Sequence, residues 1–122
     1  MRTVDFIPPL QGLEGYFNTF RLGGFYFKHL SAGETVALCD SKAKLIFGRA
    51  IVEAVVQGPL SQMLTEHAHM NHTQLANDEA VNASESLMLV IRRLYGPHIA
   101  TESKKTTVIY LRRIDEQKAD EP

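Results

Sequence analysis

Cysteine, net charge and long apolar runs are what this sequence has least of. Its single cysteine, Cys39, excludes an internal disulfide framework and suits a reducing compartment, so a cytoplasmic location is expected. The longest apolar stretches, such as AIVEAVV, fall well short of the roughly 18 residues that a membrane-spanning helix needs. The start, MRTVDFIPPLQ, lacks the apolar core of a secretory leader. No membrane partner is therefore expected. The net charge is −1 with histidine neutral, so the total gives no sign of nucleic-acid binding. Glycine-rich phosphate loops of the GxGxxG or GxxxxGK type are missing, as are internal repeats and low-complexity runs. What is present is 122 residues with 44% apolar and 22% charged side chains, the balance and size of one globular domain.

Charge is unevenly placed. From Asp115 onward, DEQKADEP holds four acids and one lysine, a polar tail that has nothing to bury and is expected to fray. The expected domain is thus 1–114, followed by an acidic tail over 115–122. Without that tail the body carries 12 Lys/Arg against 10 Asp/Glu. Its basic residues come in pairs (Lys42/Lys44, Arg92/Arg93, Lys104/Lys105, Arg112/Arg113), which read as solvated surface or as a local basic patch.

Periodicity orders the elements. Over 17–23 the pattern alternates, with Asn18, Phe20 and Leu22 on one side and Thr19 and Arg21 on the other, as in a strand with one apolar face. A turn at Ser-Ala-Gly-Glu leads into a short strand over 35–40, and Ser41–Lys44 makes a hairpin connection. LIFGRAIVEAVVQ (45–57) is the strongest strand signal, with Gly48 inside it marking a bulge or bend. The period then changes. Ser61 is placed to cap one helix through about 75, and Asn77 or Asp78 a second over about 79–95 that Gly96-Pro97 stops. TTVIYLRRI (106–114) returns as a strand. Strands without interleaved helices predict an α+β fold: an antiparallel sheet, curled or closed, with two helices packed beside it.

The residues Thr19, Arg21, Leu22 and Gly23, then Leu30-Ser-Ala-Gly33-Glu34-Thr-Val36, then a long strand running into LTEHAHMNH, together resemble the ASCH domain, a relative of the PUA domain. The resemblance spans about 13–114. It implies a small PUA-like β-barrel with a cleft flanked by helices, used on RNA or on a modified nucleotide. Some ASCH relatives are amidohydrolases that remove an acyl group from an N4-acylated cytosine nucleoside, with a GxKxxT element and a helical Glu. Here the Thr falls on Thr19, the Lys position falls near Tyr16 or Phe17, and the Glu position falls on Asn71. Two of the three catalytic groups of that pattern are missing, and an amide accepts no proton as a general base.

Three constellations carry the chemistry. Thr19 and Arg21 project from one side of a strand, a hydroxyl beside a planar guanidinium fork, suited to a phosphate or a base edge; the plainer role is a solvent-facing arginine paired with a Glu. Lys28 is a weaker companion. Glu66, His67, His69, Asn71 and His72 are dense in metal-ligating types, but on a helix His67 and His69 lie about 200° apart, so no metal is expected. His67, Asn71 and His72 are instead expected to line the cleft or to be satisfied internally. Among Phe17, Phe20, Phe25, Tyr26 and Phe27, Phe20 and at least one of Phe25/Phe27 are expected in the core, leaving Tyr26 to stack on a base. The leading reading is an RNA- or nucleotide-binding domain using Thr19, Arg21, Tyr26, Lys28, His67, Asn71 and His72, without a cofactor. One alternative is a hydrolase of a modified nucleoside or RNA with a histidine as acid or base. Another is a small protein-interaction module. If binding runs through Arg21, Arg21→Ala is expected to weaken affinity while the melting point barely moves.

Overall fold

A computed structural model describes residues 1–76 and 82–114. The elements are β1 (Thr3–Phe6), β2 (Tyr16–Leu22), α1 (Phe25–His29), β3 (Thr35–Asp40), β4 (Leu45–Pro59), α2 (Leu60–His67), α3 (His72–Leu75), α4 (Ala83–Tyr95) and β5 (Lys105–Arg113). The strands form one five-stranded curled sheet in the order β1-β3-β4-β5-β2, with the helices against it, which is the α+β class expected. Three of its four pairings are antiparallel; β1 joins β3 in parallel, so the sheet is mixed. The acidic tail and the expected cap at Asn77 or Asp78 lie outside the described residues.

The four strands read from the sequence form where alternation and β-branching predict them. The hairpin between β3 and β4 closes with Asp40 Oδ1 accepting from the Lys42 and Ala43 amides at 2.9 and 3.0 Å. A bulge lies where Gly48 suggested one: Leu38 pairs with Gly48 and Cys39 with Ile46, leaving Phe47 as the extra residue. That bend lets the 15-residue β4 wrap round the core.

Two cores result, one on each face of the sheet. The concave face buries Val4, Phe6, Phe17, Leu38, Val52, Ile109 and Leu111. The other face is covered by α2 and α4, which bury Leu60, Leu64, Leu87 and Ile91 over Phe20 and Val108. β2 therefore does not have one apolar and one wet face. Phe17 and Thr19 point into the curl, Asn18 and Phe20 under the helices, and all four are buried.

Three further expectations are corrected. The helix expected from Ser61 through about 75 is broken: α2 ends at His67, Ala68–Met70 form a 3-10 turn, and Asn71 is extended before α3. The break lets Asn71 bridge to Asn18 on the free side of β2. Ser61 does not cap α2, whose N-cap is Pro59. Phe25 and Phe27 are both exposed and Tyr26 packs against the concave core instead, because the segment is the short helix α1, of which the Tyr26 side faces the sheet.

Candidate functional site

The two ends of the strand order, β1 and β2, share no backbone ladder, and the curl brings them close enough for a side chain to bridge them. Arg21 spans this seam. Its Nη1 donates to Thr19 Oγ1 and, at 2.9 Å, to the Phe20 carbonyl, while Nη2 donates across to the Asp5 carbonyl on β1. The guanidinium lies 4.9 Å from the centroid of the Phe6 ring and 6.0 Å from that of Tyr26. Burial pushes its pKa below the ordinary value, partly opposed by Tyr95, Tyr26 and Asp5, yet an arginine stays charged throughout. These three partners are all neutral oxygens, which fix the fork without cancelling its charge.

Beside the seam lies a cavity of about 410 Å³. β1 contributes Asp5 and Phe6, β2 contributes Thr19 to Arg21, and the start of α3 contributes its cap Asn71 and His72. α4 closes the far side with Leu87, Ile91, Arg93 and Tyr95. The walls are thus mainly apolar with a few polar groups, as in small-molecule sites.

His72 owes its place to Gly12. That glycine has φ +66°, and a Cβ there would sit 1.9 Å from the His72 carbonyl oxygen, so only glycine lets the loop press on α3. His72 Nδ1 lies 3.0 Å from the Gln11 carbonyl. A carbonyl only accepts, so Nδ1 carries the proton and Nε2 is an acceptor in the neutral ring. The ring meets Phe6 and Phe17 edge-on, at 5.3 and 6.1 Å between centroids. Burial, helped by the Arg21 charge and opposed by the Gln11 bond, lowers its pKa to about 4.

Asn71 is wall rather than ligand arm. Its Oδ1 accepts from the Thr73 amide at 3.0 Å and the Thr73 hydroxyl at 2.7 Å, and its Nδ2 points to the Asn18 carbonyl at 3.4 Å. The amide caps α3 and is buried. Gln74, also buried and cavity-lining, donates to the Thr73 hydroxyl at 3.2 Å.

The structure brings together Thr19, Arg21, Asn71 and His72 and leaves the other three outside this cavity. His67 sits on the helix-covered face, its Nδ1 2.6 Å from the Tyr110 hydroxyl and its Nε2 3.6 Å from Glu66. Burial lowers its pKa, with Glu66 opposing. Lys28 is exposed on α1, and Tyr26 faces a shallow groove with Arg2 and Glu34. Among the described residues no three His, Cys, Asp or Glu side chains come together as a metal-holding group. In the sequence Arg93 stands out only as half of a basic pair, and Tyr95 and Gln74 carry no site signal. Their helical spacing alone assigns them to helix faces; only the packing of α4 over the seam turns them toward Arg21.

No helix among the described residues is long and apolar enough to cross a membrane. No family model matches the sequence, and no curated protein matches it. Solved structures do match in fold. A protein of Enterococcus faecalis V583 carrying the family-model label DUF984 superposes with a TM-score of 0.53 at 10% identity, covering 88% of this chain and 67% of its own. A tyrosine-to-phenylalanine variant of the ASCH protein of Zymomonas mobilis gives 0.52 at 15% identity, covering 95% and 76%. The ASCH domain of Lactobacillus crispatus JV V101 gives 0.51 at 9% identity, covering 84% and 65%, so this chain spans just under two thirds of that protein's length. At these identities the likeness is one of architecture: the chain folds as ASCH domains fold.

Proposed function

We propose that this protein binds a nucleotide, free or as part of an RNA, in the cavity between the curled sheet and α4. The observation that supports it is the convergence of Thr19, Arg21 and His72 with Arg93 on one cavity of about 410 Å³. Apolar walls at Phe6, Phe20, Leu87 and Ile91 suit a flat ring, and a fixed guanidinium with a neutral imidazole offers a donor and an acceptor to its edge. Among the described residues, two arginines against the single carboxylate of Asp5 favour an anionic ligand. The ASCH-like fold agrees with the RNA or nucleotide ligand that the sequence resemblance implies.

Binding is favoured over hydrolysis on one ground. A ring nitrogen whose pKa is about 4 is a poor proton acceptor at neutral pH, and His72 is the histidine that lines the cavity. His67 is spent on Tyr110. The test is a thermal-shift screen of the full chain against nucleosides, nucleotides and short RNAs. A ligand held only by the folded state, at about 100 times its Kd, adds about 2.7 kcal/mol and raises the melting point. A flat response to every compound sinks the reading, and turnover of an acylated nucleoside that is lost in His72→Ala moves it to the hydrolase.

A further inference from the structure

We infer that Arg93 is the phosphate-reading residue of this cavity, and that the nucleotide enters base first; this rests on the nucleotide reading above. The two arginines of the site are unlike. Arg21 has already given three of its N–H groups to the Thr19 hydroxyl and the Phe20 and Asp5 carbonyls, so at most two of its five remain for a ligand. Two donors suit a base carbonyl or ring nitrogen. A phosphate dianion asks for more, and the deep walls of Phe20, Leu87 and Ile91 are at most 6% exposed, a setting in which an ion loses its water at high cost.

Arg93 has the opposite character. It is exposed in the last turn of α4, lines the same cavity, and makes no hydrogen bond or ion pair among the described residues. Its neighbour shows the contrast: Arg92 turns away and its Nε donates to the Ala100 carbonyl at 3.1 Å, fastening the chain after the helix. A free fork at the rim can take two phosphate oxygens while the phosphate keeps part of its hydration. The plainer role for Arg93 is to complement the C-terminal dipole of α4, a stability effect that distinguishes no ligand from another.

The experiment is calorimetric titration of the full chain with the four ribonucleosides and their 5′-monophosphates, for the wild type, Arg93→Gln and Arg93→Lys. The inference expects the best monophosphate to bind about 10-fold tighter than its nucleoside in the wild type. Arg93→Gln brings that ratio to about 1–2 with nucleoside affinity unchanged, which also shows that the variant is folded; Arg93→Lys keeps part of the ratio because it keeps the charge without the fork. The preference also shrinks with added salt in the wild type and becomes salt-insensitive in Arg93→Gln. A ratio that survives Arg93→Gln, or an equal loss for nucleoside and nucleotide, overturns the assignment of Arg93 and leaves nucleotide binding standing. A wild type that binds none of the eight compounds, nor any short RNA, overturns both.

Discussion

Arg21 on β2 and Arg113 on β5 both turn toward the concave core, at opposite ends of one antiparallel ladder. Both are anchored by backbone carbonyls. Arg113 Nη1 donates to Leu13 at 2.6 Å and Nη2 lies 3.4 Å from the Phe47 carbonyl, with the guanidinium 5.6 Å from the Phe47 ring centroid. What differs is the space around them. At the Arg113 end Gly48 in the bulge of β4 lies against the guanidinium, where a Cβ would come within 2.5 Å, so one side of this half-buried side chain is closely packed. At the Arg21 end the ladder opens into the cavity under α4. The same side chain with the same kind of partners packs against a bulge at one end and lines a cavity at the other. Residue type did not decide which; the room left by its neighbours did.

The comparison breaks most completely if the room at the Arg21 end is removed. Gly12→Ala places a Cβ against the His72 backbone and forces a left-handed φ on an L-residue, so a loss of about 3 kcal/mol or more is expected, read by chemical denaturation, with ligand binding lost alongside. The two arginines should then separate. Arg113→Ala uncovers the Leu13 and Phe47 carbonyls and is expected to cost about 2–3 kcal/mol with nucleotide affinity unchanged. Arg21→Ala is expected to cost about 2 kcal/mol and to abolish binding. The expectation drawn from sequence, that its melting point barely moves, does not survive the bond that ties β2 to β1.

Acid sharpens the contrast with a smaller effect. His72 titrates near 6.5 when unfolded and near 4 when folded, so the unfolded chain takes the proton first. Stability is then full above about pH 6.5, falls as pH drops toward 4, and levels off below it. The whole shift corresponds to about 3 kcal/mol, reduced to about 2 because the ring keeps part of its contact with water. Urea midpoints between pH 7 and 4 measure it, and His72→Phe should flatten the largest part of that slope, with His67 supplying a contribution of the same sign.

Much of this architecture is legible from periodicity. Strands β2 to β5 and the body of α4 follow from alternation, β-branching and the Gly96-Pro97 stop. β1 is four residues long and carries too little pattern to be read. The helix of α1 is too short for a helical period to show in its aromatic run. The break at 68–71 is invisible because helical spacing continues through it; a tertiary contact, Asn71 to Asn18, pulls the backbone straight. In the site, Thr19 and Arg21 stand out as a polar pair in an apolar strand, and His72 as part of a rare cluster. His67 belongs to the same cluster and lands elsewhere, since the kink rotates the segment between them. Arg93 reads as a dipole complement until α4 is laid over the seam.

The curl of the sheet also bears on how the protein behaves in a crowd. A strand with one bare side is a template on which another chain's strand can add, the first step toward aggregation. Here the bare sides of β1 and β2 look at each other rather than outward, and that of β2 is further blunted by the Asn71 bridge. The curl that brings these two edges together thus leaves a cavity beside them and turns their unpaired backbone groups away from a neighbouring chain.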